Sequence, residues 1–138
     1  MTTFLADKSA LTRSATRDSV RVAIEPRILA GRIATCAIID LELLYSAPSK
    51  KTYFQMAEAL HGMPRVPVNE LVVERALQVQ ALLAAKSQHR AVSLPDLIIA
   101  ACAEVHGLTV LHYDADFDRI AKVTRQATQW VVPRGSVS

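Results

Sequence analysis

Only two cysteines occur in the 138 residues, Cys36 and Cys102, and neither belongs to a CxxC or Cys/His pattern. Both are read as small buried hydrophobes in apolar surroundings. The four histidines also lack ligand-like spacing, which removes the usual donors of a zinc site. Aromatic residues make up 5% of the chain, so base stacking is at most a secondary means of holding nucleic acid. No apolar run reaches the roughly 18 residues that a membrane span needs. The stretch Met1–Ala10 lacks a basic start followed by an apolar core and a small-residue cleavage site. A soluble, cytoplasmic protein with no membrane partner is therefore expected. With 4 Gly, 6 Pro and 51% hydrophobic residues, the composition is that of a globular chain. Its length suits one domain over residues 1–138, with the last few as a tail.

What the chain does have is alternation. Phe4-Leu5-Ala6 reads as a short strand that stops at Asp7. Residues 11–30 read as interrupted helix, with Asp18 or Ser19 able to cap and Pro26 able to limit or kink it. Gly31 breaks the chain, residues 33–36 read as a second strand, and 38–46 turn helical and carry Glu42. Helix is expected again at 53–61, ended by Gly62 and Pro64, and residues 65–68 form a short edge strand at best. Asn69 caps a long amphipathic helix to about Lys86, and a loop follows over 87–92. Ser93-Leu94-Pro95-Asp96 is a helix start, with a capping hydroxyl, an early proline and an acid at the positive end. That helix ends at Gly107. A strand at 108–111, a short helix at 117–123 and a last strand at 128–132 complete the pattern. Strand alternating with helix implies an α/β fold, a mostly parallel sheet with helices on both faces.

In such sheets, functional groups gather at the carboxyl ends of strands near the topological switch point. Asp7 and Asp114 directly follow apolar strands, Glu42 rides the helix after the second strand, and Asp96 opens a helix. Four acids from four segments can converge there, with Asp116 as an alternative or additional fourth. Like charges brought together out of water repel, and a divalent cation resolves the conflict. Carboxylate oxygens suit Mg²⁺, or Mn²⁺, better than zinc. Such a cation supports phosphodiester hydrolysis by activating water and steadying the leaving oxygen. The formal charge is +3, from 16 Lys+Arg against 13 Asp+Glu. With five acids set aside in a pocket, eight remain against the 16 bases, leaving a surface of about +8, which suits a polyanion.

Four segments also resemble a known family. Residues 4–11 (FLADKSAL) look like the opening strand, Asp-x-Ser, of PIN-domain nucleases, and 38–45 (IIDLELLY) look like their glutamate-bearing helix. Residues 94–101 (LPDLIIAA) are similar to the third-acid helix, and 111–118 (LHYDADFD) to the fourth-acid turn. The resemblance spans nearly the whole chain and runs in the family's order; it is nearest to the small VapC-type toxins of bacterial toxin–antitoxin pairs. It implies a single PIN-like domain and a Mg²⁺- or Mn²⁺-dependent endoribonuclease that blocks translation by cutting structured RNA such as tRNA or rRNA. It also implies a homodimer and a cognate VapB-type antitoxin that silences the enzyme. Carried over by motif, Asp7, Glu42 and Asp96 are metal ligands or orient water, Asp114 or Asp116 or both join them, and Ser9 supports the site. A Mg²⁺-dependent phosphatase or phosphotransfer module on a similar sheet is the alternative. It normally needs a strand-end lysine, and only Lys8 is near.

Other residues have plainer readings. Asp118 is spaced to face solvent and pair with Lys122, and Asp40 is read as surface or local structure. Arg13, Arg17 and Arg21 would share a face if one helix spans them, as a phosphate-contact stripe or as an ordinary solvated face. Lys50 and Lys51 are read as solubilising, His112 as a satisfied strand-end histidine, and Tyr45, Tyr53 and Phe54 as packing or dimer contacts.

Overall fold

Phe4 and Ala6 point to one side of their strand and Leu5 to the other, and all three are buried, which requires cover on both faces. The computed structural model, which describes residues 1–138, supplies that cover. Strand β1 (Phe4–Ala6) is followed by α1 (Lys8–Ser14), α2 (Asp18–Leu29), β2 (Ile33–Ala34) and α3 (Ala37–Tyr45). Then come α4 (Lys50–His61), α5 (Glu70–Ala84), α6 (Leu94–Val105), β3 (Thr109–His112), α7 (Asp116–Thr124) and β4 (Thr128–Trp130). The four strands pair in the order β2-β1-β3-β4, all parallel, with Leu5 opposite both Ala34 and Val110, and His112 opposite Trp130. Parallel pairing obliges each connection to cross over by helices, giving the expected α/β architecture.

Two apolar clusters lie on the two faces. One joins Leu5, Ala34 and Val110 to Ile39 of α3, Val72, Val79 and Leu83 of α5, Ile99 of α6, and Phe117 and Ile120 of α7. The other packs Phe4, Ala6, Ile33 and Leu111 against Ala10 of α1 and Val20 and Ile24 of α2. β1 leads to a neighbour on one side, whereas β2 leads across it to β3 on the other. The carboxyl ends of β1 and β3 therefore flank the switch point.

Side-chain caps at Asn69, which accepts from Val72 N–H, and Ser93, which accepts from Asp96 N–H, begin α5 and α6 where the spacing places them. Several local expectations are corrected. Neither Asp18 nor Ser19 caps α2; Arg17 holds that position with no side-chain bond. Pro26 sits inside α2, which continues to Leu29. The 65–68 segment is no strand but makes one parallel bridge, Thr35 to Arg65, and β4 ends at Trp130 rather than residue 132. Cys36 and Cys102 are buried and free as expected; Cys102 Sγ donates to the Pro67 carbonyl at 3.7 Å, and the proximity of the two thiols pushes Cys102 up and Cys36 down.

Candidate active site

Asp7 ends β1 with extended backbone and caps α1, its Oδ2 accepting from Ser9 N–H at 2.9 Å. Its Oδ1 is buried with no partner. Ser9 Oγ accepts from Tyr113 N–H at 2.8 Å, and the hydroxyl near the Asp7 carboxylate favours its charged form, opposing burial. One hydroxyl thereby ties the end of β1 to the turn after β3.

That turn is built by the acids themselves. Asp114 Oδ1 accepts from Asp116 N–H at 2.9 Å, an Asx-type turn that starts α7. Asp116 Oδ2 accepts from Ser93 N–H at 3.1 Å, joining the start of α7 to the start of α6. Asp96 lies in the first turn of α6 and is 7% exposed. Carboxylate oxygens of Asp96, Asp114 and Asp116 all lie within 4.8 Å of one another, an arrangement that could hold a metal ion. Asp114 and Asp116 thus both lie in this cluster.

Asp7 and Glu42 stand beside this trio and are coupled to it by charge. Burial raises the Asp7 pKa, with the Asp114 charge adding to it. Burial also raises Glu42; Lys8 opposes this, while Asp7 and Asp114 reinforce it. Lys8 Nζ lies 3.7 Å from Glu42 Oε2, and Glu42 Oε1 is buried without a partner. The strongest displacement is at Asp96, pushed up to about 8 by burial first, then by the Asp7 charge, a hydrogen bond with Asp116, and the charges of Asp114 and Asp116. The clustered carboxylates of Asp96, Asp114 and Asp116 fit a divalent cation, and Asp7 and Glu42, each with an orphaned buried oxygen, are linked to them by charge: the ion would offset the burial and repulsion that otherwise keep a proton on Asp96.

A PIN domain family model matches residues 4–123. The chain belongs to the PIN-domain family. Ribonuclease VapC51 of Mycobacterium tuberculosis is 46% identical over 134 residues, covering 97% of this chain and 96% of that protein. Ribonuclease VapC21 of the same species is 43% identical over 136 residues, 98% of each. Among solved structures, the DNA-bound VapBC complex from Salmonella typhimurium superposes with a TM-score of 0.76 at 20% identity, over 94% of this chain and 98% of that one. The FitAcB structure from Neisseria gonorrhoeae gives 0.73 at 20% identity, over 93% and 97%. At that identity the structural likeness speaks for the PIN fold alone.

Around the PIN site, several residues depart from their sequence reading. Asp118 does not pair with Lys122; both its oxygens accept from Trp130 Nε1 at 3.1 Å. Asp40 is buried, 4% exposed, with Arg65 Nη2 2.5 Å from its Oδ2, a close charge contact without hydrogen-bond alignment. Arg13, Arg17 and Arg21 form no single-helix stripe, because α1 ends at Ser14 and α2 begins at Asp18. Arg13 instead lies over the Tyr113 ring at 4.6 Å, Arg17 reaches Ser138, and Arg21 pairs with Asp18. The Lys8–Glu42 pair was missed by sequence reasoning. Its one sequence signal is a lysine directly after the first acid.

Proposed function

We propose that this PIN domain, one domain over the 138 residues, is a metal-dependent endoribonuclease of the VapC type. It cuts structured RNA, tRNA or rRNA, to inhibit translation. The observation that supports this reading is the clustering of Asp96, Asp114 and Asp116 carboxylate oxygens within 4.8 Å, with Asp7, at the end of β1, and Glu42 of α3 coupled to them by charge. Asp7, Asp96, Asp114 and Asp116, with Glu42, would hold Mg²⁺, with Mn²⁺ able to replace it. When bound, the cation supplies Lewis-acid activation for phosphodiester hydrolysis. The chain's own residues do the rest. Ser9 fixes the β3 turn against Asp7, Asp116 fastens α7 to α6, and Lys8 partly neutralises Glu42. No observation favours the phosphotransfer reading, since Lys8 is engaged with Glu42.

The same reading makes the protein a cytoplasmic toxin silenced by a VapB-type antitoxin and active as a homodimer. No helix is long and apolar enough to cross a membrane. A groove of about 170 Å³ between α1, α3 and α4, lined by Leu11, Leu43, Met56, Ala59, Leu60 and Met63, is suited to an amphipathic antitoxin segment. The deciding experiment incubates purified protein with tRNA and rRNA in EDTA, Mg²⁺ or Mn²⁺ and maps the new 5′ ends. Cleavage only with metal, lost in Asp7→Asn and Asp96→Asn, is the expected result. Cleavage unchanged in both variants sinks the mechanism.

A further inference from the structure

His112 is the last residue of β3 and is fully buried. Its ring lies between Phe117, at a centroid distance of 4.9 Å, and Trp130, at 5.0 Å. Trp130 is itself anchored by its Nε1–H to the Asp118 carboxylate, and Val131 N–H donates to the His112 carbonyl at 2.8 Å. These neighbours hold the ring in one plane beside the turn that follows β3. In that position Nδ1 faces the backbone N–H of Asp114 at 3.1 Å, and Nε2 is buried with no partner. A nitrogen that faces a donor must present its lone pair, so the proton resides on Nε2.

Packing alone does not account for a histidine here. A phenylalanine would fill the same slot between Phe117 and Trp130 without burying an unpaired Nε2–H, which is costly. What the imidazole adds is one acceptor, aimed at the backbone of an acid in the 4.8 Å carboxylate trio. From the other side of the same turn, Asp114 Oδ1 holds Asp116 N–H. We infer that His112 is a positioning residue for Asp114: its Nδ1 fixes the Asp114 backbone, and so sets the carboxylate toward Asp96 and Asp116. This rests on the proposed metal site, because Asp114 is treated as one of its ligands. Outer-shell groups of this kind commonly change metal affinity by about 10- to 100-fold when removed.

Two substitutions in the full chain separate positioning from packing. His112→Phe keeps an aromatic ring and deletes the acceptor, whereas His112→Asn keeps an acceptor near the Nδ1 position and deletes the ring. Mn²⁺ affinity is measured by calorimetry on metal-free protein, Asp114 amide exchange by NMR, and melting by circular dichroism. The expected result is a crossed pattern. His112→Phe melts near the wild type yet binds Mn²⁺ about 10-fold more weakly or worse, with faster Asp114 exchange. His112→Asn melts lower but binds Mn²⁺ within about 3-fold of the wild type, an outcome that supports the inference even if His112→Phe does not fold. Affinities that simply follow melting temperature, or His112→Phe binding Mn²⁺ as tightly as wild type with unchanged Asp114 exchange, overturn the inference and leave the metal site standing. Failure of the wild type itself to bind Mn²⁺ overturns the metal reading, and His112's role falls with it.

Discussion

Replacing Asp96 by Asn should make the metal-free protein more stable at alkaline pH, even as it removes activity. Asp96 is nearly enclosed, and burial together with the charges of Asp7, Asp114 and Asp116 lifts its pKa from 3.8 to about 8. A carboxyl raised in the fold binds its proton more tightly there than in the unfolded chain. Its penalty is therefore absent below pH 3.8, grows as pH rises toward 8, and is constant above. A displacement of one pH unit is worth about 1.4 kcal/mol, so full ionisation costs on the order of 5 kcal/mol. That is a large share of the roughly 5–15 kcal/mol that keeps a domain folded. Asn has nearly the same shape, stays neutral, and can give an N–H to Asp116 where the protonated Asp96 gives an O–H. Thermal melts in EDTA from pH 4.5 to 8.5 should show Asp96→Asn gaining on the wild type with pH. At about 2–4 °C per kcal/mol for a chain of this length, the gap at pH 8.5 is on the order of 10 °C, closing to a few degrees at pH 4.5. Saturating Mg²⁺ should raise the wild-type melting temperature and leave the variant unmoved. A gap that does not vary with pH would refute the argument that Asp96 stores this repulsion.

Ser9→Ala removes the acceptor of Tyr113 N–H and the hydroxyl that favours the charged form of Asp7. It should cost about 1–2 kcal/mol in denaturant unfolding and weaken Mn²⁺ binding by about 10-fold; binding at wild-type strength would show that the β1 and β3 ends hold without it. A homodimer is expected in scattering at micromolar concentration, with exposed Tyr45, Tyr53 and Phe54 among its candidate contacts. A monomer under those conditions counts against that assembly.

Several elements are written locally. Asn69 and Ser93 cap α5 and α6 because a side-chain oxygen three residues before a free N–H satisfies it wherever the chain goes next. Asp7 is legible for a similar reason: an apolar run that stops at an acid places that acid at a strand's end, and strand ends are where α/β sheets carry function. Local reading failed where a partner is distant in sequence. Asp118 is spaced for Lys122 one helical turn away, but β4 brings Trp130 closer to it. Arg13, Arg17 and Arg21 keep a four-residue spacing, but a break between α1 and α2 separates them. Cys36 and Cys102 look unrelated because only packing brings them into one apolar cluster.

By itself, then, the sequence determined the α/β alternation, the strand-end and helix-start acids, and their order along the chain, because these depend on propensities and hydrogen bonds within a few residues. Only the tertiary structure decided how those acids meet. The strand order β2-β1-β3-β4 sets the ends of β1 and β3 side by side, and α6 delivers Asp96 to the same place. That geometry puts both Asp114 and Asp116 within 4.8 Å of Asp96, pairs Lys8 with Glu42, and turns His112 toward the Asp114 backbone. The strength of each of these interactions depends on burial and on charges contributed by other segments, and neither quantity exists until the sheet has formed.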